Sequence, residues 1–141
     1  MATEVKTEIT INATPEKVWS VLTHFEQYPA WNPFIKSIRG DVQVGNKISV
    51  RIEPAQSKGM NFTPKVLAFE RNKEFRWLGH LFIPGIFDGE HKFELIDHGN
   101  GTTTLKHSET FGGILKGILN LENTRKDFEA MNGKLKELAE Q

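Results

Sequence analysis

The C-terminal part of the sequence constrains the fold most, because its apolar residues recur at helical spacing across residues 115–139. A helix of this length is about 37 Å long, well above the average for globular proteins. One face carries the apolar residues Leu115, Ile118, Leu121, Phe128, Met131, Leu135 and Leu138. The opposite face carries Lys116, Glu122, Lys126, Asp127, Glu129, Lys134 and Glu137. The rest of the chain is therefore expected to supply a long concave surface that covers the apolar face.

The apolar face of this predicted helix is incomplete. Thr124 and Arg125 interrupt it, and the small residues Gly117, Ala130 and Gly133 lie nearby in the sequence. Such residues leave space between a helix and the sheet that covers it. We therefore predict a cavity of roughly several hundred Å³, the usual size of a ligand site, between residues 121–135 and the inner face of the sheet.

Strand patterns dominate the sequence before this helix. Residues 5–11 alternate with period 2, and a helix at about 15–24 follows, with Thr14 as its N-cap and Pro15 at its first position. A stretch rich in proline and aromatic residues at 26–34 indicates a short helical turn. Six further strands are predicted at 35–42, 47–53, 61–70, 74–82, 86–96 and 102–111.

This order of elements predicts an α+β fold in one domain spanning residues 1–141. A seven-stranded, curved antiparallel sheet wraps around the long C-terminal helix, and one or two short helices lie between the first and second strands. A curved sheet does not close tightly over a helix along its whole length, so a cavity is the expected result.

Composition excludes several classes of partner and site. The chain has 18 basic and 18 acidic side chains and no block of like charge, so we predict no nucleic-acid partner. It has no cysteine, which excludes disulfides and thiolate metal sites and is typical of a reducing compartment. The first residues contain no apolar run, and the apolar stretch 78–87 is too short to cross a bilayer. We expect a cytoplasmic protein without a transmembrane segment.

Three polar residues are predicted to lie on the inner face of the sheet. In the strand 86–96, His91 shares its parity with Phe93, and in the strand 102–111, His107 and Glu109 share theirs with Phe111. The register of this hairpin stays open at this stage. A loop centred on residue 99 places His91 opposite His107, and one centred on residue 100 places it opposite Glu109.

The three inward polar residues allow two interpretations. A carboxylate hydrogen-bonded to an imidazole is a general acid–base pair, so His91, His107 and Glu109 are the candidate catalytic residues. Alternatively, Glu109 pairs with a histidine or with Arg125 only to satisfy buried charge, which we favour. A metal held by these three side chains is the weakest interpretation. We predict no metal and no cofactor.

Several fragments resemble the START-like superfamily called SRPBCC, and the resemblance covers essentially the whole chain. It is carried by the fragments at 14–19 (TPEKVW), 31–34 (WNPF), 76–79 (RWLG), 87–93 (FDGEHKF), 107–113 (HSETFGG) and 128–132 (FEAMN), the last together with Leu135 and Lys136. They are similar to a bacterial subgroup of polyketide-cyclase-like proteins. The resemblance implies the helix-grip fold, shared with polyketide cyclases and the major birch-pollen allergen, and a deep apolar pocket. Members of the superfamily bind lipids, hormones, quinones or polyketides, and some catalyse reactions.

We therefore predict binding of a small hydrophobic ligand, similar to a lipid, quinone or polyketide, between the C-terminal helix and the sheet. The first alternative is a polyketide cyclase or dehydratase that uses the His/Glu pair. The second is an interaction or recruitment adaptor that uses the apolar loop 82–87 as a docking patch. The predicted ligand-binding residues are Trp31, Asn32, Phe34, Trp77, Phe87, His91, Phe93, Glu109, Phe111, Leu121, Arg125 and Phe128.

Overall fold

The computed structural model describes residues 3–81, 85, 87–113 and 120–141. Eight strands and three helices follow one another along the described chain. In order they are β1 (Thr3–Ile11), α1 (Pro15–Thr23), a 3-10 turn (Phe25–Gln27), α2 (Tyr28–Trp31), β2 (Ile35–Arg39), β3 (Ser49–Ile52), β4 (Met60–Phe62), β5 (Lys65–Glu70), β6 (Glu74–Leu81), β7 (Phe87–Asp97), β8 (Thr103–Gly112) and α3 (Leu121–Ala139).

The strands form two antiparallel sheets, with the orders β1-β8-β7-β6-β5 and β2-β3-β4. The two sheets meet where the residues before β3 pair with the start of β5. There the Ile48 amide donates to the Pro64 carbonyl at 3.0 Å, and the Val66 amide donates to the Asn46 carbonyl at 2.9 Å. The predicted α+β helix-grip fold is confirmed.

The strand count is eight rather than the predicted seven. The predicted strand 61–70 is two strands, because Thr63 and Pro64 separate β4 from β5. A proline has no N–H to donate to a neighbouring strand, so it favours an interruption of the ladder. The chain uses this break to change from one sheet to the other.

The predicted first helix is confirmed, with the predicted cap. The Thr14 side chain accepts a hydrogen bond from the Lys17 amide at 3.3 Å, and Pro15 occupies the first turn. The buried side of α1 includes Val18 and Leu22, both without exposed surface. α2 is the short helical segment predicted at 26–34, and its Tyr28 hydroxyl donates to the Leu22 carbonyl.

The C-terminal helix covers the interior with the predicted residues but begins later than predicted. Phe128, Met131 and Leu135 have no exposed surface. The prediction of one continuous helix over 115–139 is wrong at Asn120, whose backbone is extended and whose side chain caps α3 by accepting from the Asn123 amide at 3.0 Å. Residues 114–119, with Leu115, Gly117 and Ile118, lie outside the described residues. No helix among the described residues is long and apolar enough to cross a membrane.

One residue assigned to the polar face of this helix lies in the interior. Asp127 is only 8% exposed, and its carboxylate accepts from the Ala55 amide at 3.2 Å. This bond ties the loop after β3 to α3. Helical periodicity placed Asp127 among charged residues, but the loop that covers it comes from a distant part of the chain.

Cationic side chains of α3 also hold the helix to β1. The Arg125 guanidinium donates to the Lys6 carbonyl at 3.1 Å, and the Lys136 ammonium donates to the Thr10 carbonyl at 3.0 Å. Just beyond the helix, the Glu140 carboxylate accepts from the Asn12 amide at 2.7 Å. The helix is therefore fixed along the length of β1 by bonds to main-chain atoms.

The small residues in α3 do not make space over the sheet. Ala130 is exposed, and a Cβ added at Gly133 would meet no atom within 4 Å. We expect Gly133→Ala to raise the free energy of unfolding by about 0.5–1 kcal/mol, because alanine favours a helix more than glycine does. Urea unfolding measures this change. A loss of stability would contradict the open surroundings of Gly133.

Candidate functional site

The β7–β8 hairpin brings the three inward polar residues together. His91 pairs with Glu109 and Phe93 with His107, so the hairpin is centred on residue 100, the second of the two registers left open by the sequence. The predicted inward parity is confirmed: His91 is 3% exposed, and His107 and Phe93 have no exposed surface. The two histidines therefore lie inside the protein.

A continuous chain of hydrogen bonds, here called the polar chain, runs from Glu109 to β1. Glu109 Oε1 lies 3.0 Å from His91 Nδ1, and His91 Nε2 lies 2.7 Å from His107 Nε2. His107 Nδ1 lies 2.8 Å from Asn132 Oδ1. Asn132 Nδ2 donates to Thr7 Oγ1 at 2.9 Å, and Thr7 Oγ1 donates to the His107 carbonyl at 2.7 Å. The polar chain connects β7, β8, α3 and β1.

Two members of the polar chain were missed at the sequence level. Asn132 lies four residues after Phe128 and three before Leu135, so it shares the apolar face of α3. Thr7 lies between Val5 and Ile9 on the inner parity of β1. Both are polar residues at buried positions of a periodic pattern. A polar residue at a buried position of such a pattern is the signal that identifies both in the sequence.

Aromatic rings enclose the two imidazoles. Trp77 stacks on His91 at a centroid distance of 4.7 Å, and Phe128 stacks on His107 at 4.1 Å with an interplanar angle of 3°. The ring centroids of Phe34 and Phe128 are 5.6 Å apart, and Phe93 lies beside both histidines. The predicted ligand-binding residues Phe34, Trp77, His91, Phe93 and Phe128 thus lie close together, and their binding role stays a prediction. At these distances the rings contact one another and fill the layer between the middle of α3 and the sheet.

Glu109 forms the partly exposed end of the polar chain. Its side chain is 17% exposed, compared with 4% for His91. The carboxylate lies over Gly89, where an added Cβ would come within 2.2 Å of Oε2. Among the residues that the structure describes, Oε1 is bonded to His91 and no hydrogen bond reaches Oε2. One oxygen of a largely buried carboxylate thus remains available.

Aromatic side chains flank this available oxygen. The Phe62 ring lies over Gly79, where an added Cβ would come within 3.1 Å of it, and Gly79 pairs directly with Gly89. Phe111, 5% exposed, pairs with Gly89 on the other side. Neighbouring paired positions on one sheet face are about 5 Å apart. The carboxylate oxygen is therefore bordered by apolar rings.

Of the remaining predicted ligand-binding residues, some are exposed or half-buried and others lie outside the described residues. Arg125 is exposed and bonded to the Lys6 carbonyl, so the predicted alternative in which it pairs with Glu109 is wrong. Leu121 is 38% exposed, and Trp31 is half-buried. The Phe87 side chain and most of the apolar loop 82–87 lie outside the described residues.

Asn32 lies in the interior with one unused donor. It has no exposed surface, and its Oδ1 accepts from the Phe34 amide at 2.9 Å and the Ile35 amide at 2.8 Å. Among the described residues, its Nδ2 has no hydrogen-bond partner. A buried amide without a partner is uncommon in folded proteins and usually meets water or a ligand.

The histidines are arranged for hydrogen bonding to each other. Burial, reinforced by the neighbouring His91, holds the pKa of His107 well below its usual range, whereas its bond to Asn132 acts in the opposite direction. The Nε2 atoms face each other directly, so the lone pair of one receives the proton of the other.

Within the described part of the chain, no group of three or more His, Cys, Asp or Glu is placed to hold a metal ion.

A separate polar groove of about 420 Å³ lies on the outer face of the sheet. Its lining includes acidic and basic side chains from β1, β6, β7 and β8, and several of these are paired with each other, as Arg76 is with Glu90 at 3.7 Å. Paired charges on a solvated sheet face stabilise neighbouring strands and need no ligand. The groove is therefore distinct from the site at Glu109.

Comparisons with known proteins agree with the fold. The family model described as polyketide cyclase / dehydrase and lipid transport matches residues 2–140. Among solved structures, a protein from Chromobacterium violaceum is 17% identical with a TM-score of 0.78, over 98% of this chain and 97% of that one. A START superfamily protein from Mycobacterium smegmatis is 20% identical with a TM-score of 0.72, over 96% and 98%.

An aromatase/cyclase from a Streptomyces species is also similar, at 14% identity and a TM-score of 0.71, over 99% of this chain and 94% of that one. No curated protein matches the chain. At these identities the solved structures establish the shared fold.

The polar chain is expected to contribute strongly to stability. Asn132→Leu leaves the buried His107 Nδ1 donor without its acceptor and removes the donor to Thr7 Oγ1, so we expect a loss of about 2–4 kcal/mol in the free energy of unfolding. Asn123→Leu, the same change on the same helix at a half-buried position, is the matched control and is expected to have little effect. Equal effects of the two substitutions in urea unfolding would contradict the importance of the polar chain.

Stability is expected to fall at acid pH because of His107. In the unfolded chain this imidazole takes up a proton below its usual pKa of about 6.5, whereas the folded state holds it neutral to a lower pH. The stability that the folded state gains from a neutral His107 is thus fully present above about pH 6.5. Below that it is lost at up to about 1.4 kcal/mol per pH unit, until the folded pKa is reached.

The pH dependence of unfolding in His107→Gln tests this assignment. The variant should have a shallower decrease in stability between about pH 6.5 and 5, whereas His24→Gln, at an exposed position, should retain the slope of the parent protein. An unchanged slope in His107→Gln would show that another group is responsible.

Proposed function

The chain belongs to the family of polyketide cyclases, dehydrases and lipid-transport proteins, and we propose on this basis that it binds a small apolar molecule at the inner face of the sheet. In this proposal the ligand lies against Glu109, between the start of α3 and the ends of β6, β7 and β8. The layer beneath, at His107 and Phe128, is already filled by side chains. We therefore propose a ligand space closer to the start of α3 than the sequence predicted.

The observation that carries this proposal is the available Oε2 of Glu109. A polar group taken out of water costs free energy unless it is hydrogen-bonded, and the other members of the polar chain are bonded. The polar chain ends at Glu109, its most exposed member, beside the Phe62 and Phe111 rings. An apolar surface with a single convergent polar group is the usual composition of a small-molecule site.

The unused donor on Asn32 is consistent with the same proposal. Its neighbour Phe34 contacts Phe128, which packs against both histidines, so Asn32 belongs to the layer next to the polar chain. Asn32 was predicted as a ligand-binding residue, and this role stays a proposal.

A second candidate function is acid–base catalysis, which the 3.0 Å contact between Glu109 Oε1 and His91 Nδ1 favours. A carboxylate that is hydrogen-bonded to an imidazole increases the basicity of the imidazole, as general base chemistry requires. Glu109→Gln separates the two functions, because it retains the shape of the side chain and removes the carboxylate base. Retained ligand binding with abolished turnover would establish catalysis.

Binding can be measured with the apolar dye N-phenyl-1-naphthylamine, whose fluorescence increases in an apolar site. We expect saturable binding by the parent protein and affinity weaker by about tenfold in Gly89→Ala, because the added Cβ displaces the Glu109 carboxylate. Gly112→Ala, where an added Cβ meets nothing within 4 Å, is the control and should bind like the parent.

Native mass spectrometry of protein purified without denaturation provides an independent readout. A retained molecule released by Gly89→Ala but not by Gly112→Ala would identify the ligand class directly. Absence of dye binding in the parent protein would overturn the proposed function.

A further inference from the structure

The hydrogen-bond direction of the polar chain is fixed at its β1 end by a carbonyl. Thr7 Oγ1 lies 2.7 Å from the His107 main-chain oxygen, which only accepts, so the Thr7 hydroxyl proton points there. The lone pairs of Thr7 Oγ1 then accept from Asn132, 2.9 Å away, and the Asn132 atom facing Thr7 is its amide nitrogen. The amide oxygen of Asn132 therefore faces His107.

The same direction continues through both imidazoles. Asn132 Oδ1 only accepts, so His107 Nδ1 carries a proton at 2.8 Å from it. His107 is fully buried beside a second imidazole, and this environment keeps it neutral, which leaves a lone pair on its Nε2. His91 Nε2, 2.7 Å away, must then carry the proton of their shared hydrogen bond.

One proton remains for the contact between His91 Nδ1 and Glu109 Oε1 at 3.0 Å. It resides either on His91, giving an imidazolium facing a carboxylate, or on Oε1, giving a neutral imidazole facing a carboxylic acid. A proton on Oε2 instead would leave two lone pairs facing each other across the contact with His91. In both allowed states, Oε2 is unprotonated and is a hydrogen-bond acceptor.

We infer that the site at Glu109 selects ligands that present a hydrogen-bond donor, namely an alcohol, a phenol or an N–H group, and discriminates against ketones and quinones. This inference rests on the proposed ligand site and specifies its chemistry. A ketone oxygen placed at Oε2 would oppose two acceptors in a largely buried position, whereas a hydroxyl completes the polar chain. Asn132 is accordingly a positioning residue, because it sets the acceptor character of Glu109 from the far end of the chain.

Paired probes of nearly equal shape test the selection by isothermal titration calorimetry at pH 7.5. We expect 2-tetralol to bind at least about tenfold more tightly than 2-tetralone, and 2-naphthol at least about tenfold more tightly than 2-methoxynaphthalene. If the two members of each pair bind with dissociation constants within twofold of each other, or if the ketone binds more tightly, the inference is overturned and the proposed ligand site is not. Failure of all four probes and of naphthalene to bind overturns both.

Variants of Glu109 distinguish hydrogen-bond direction from charge. In Glu109→Gln the amide nitrogen donates to the His91 Nδ1 lone pair and its oxygen faces the ligand, so the preference for 2-tetralol should be retained. In Glu109→Met the preference should disappear. Loss of the preference in Glu109→Gln, with the fold intact by circular dichroism, would assign the selection to charge and overturn the inference.

The protonation pattern can be read without any ligand. Long-range ¹H–¹⁵N spectra of the histidine rings should identify His107 as the neutral tautomer protonated at Nδ1. His24, an exposed residue, provides an internal reference for a solvent-accessible imidazole. A neutral His107 protonated at Nε2 would overturn the inference, whatever the probes bind.

Discussion

The hydrogen bond between His107 and Asn132 is the contact on which the interior of the protein depends. It joins the central sheet to α3 at a place without solvent, where an unpaired polar group is costly. The same contact sets the position of the helix against the sheet, because Phe128, one turn before Asn132, stacks on the ring that Asn132 bonds. Apolar packing alone would tolerate small shifts of α3 along the sheet, whereas the paired donor and acceptor fix one arrangement.

Fixing α3 in this way has a consequence for the end of the polar chain. His107 is held by Asn132 on one side and by Phe93 and Phe128 on its faces, so His91 and then Glu109 are positioned in turn. The carboxylate over Gly89 is therefore held by contacts that begin on the opposite side of the interior. A ligand at Glu109 would meet a polar group whose orientation is established before binding, which lowers the entropic cost of recognition.

Much of this arrangement could be predicted from the sequence, because alternation in β7 and β8 determines which side chains face inward. The alternation predicted that His91, His107 and Glu109 share the inner face, and it left open only the register of the hairpin, centred on residue 99 or on residue 100. Parity and helical spacing report which face a residue occupies, but not which distant residue meets it. For this reason Asn132 and Thr7 were missed, and Arg125 was placed near Glu109 although it bonds the Lys6 carbonyl.

The predicted boundaries of two elements were wrong because of single side chains. Asn120 sets the start of α3, because its extended backbone and the bond from the Asn123 amide to its side chain form a cap within an otherwise continuous apolar period. Pro64 divides one predicted strand into two. In both cases a single side chain outweighs the periodic pattern around it.

The bonds from Arg125 and Lys136 to β1 have a further effect at the margin of the sheet. β1 is an edge strand, paired on one side only with β8, and the Lys6 and Thr10 carbonyls share one parity. Exposed carbonyls of this kind allow another chain to add a strand and begin aggregation. Because cationic side chains of α3 occupy two of them, the helix that covers the interior also shields the edge of the sheet from association with other molecules.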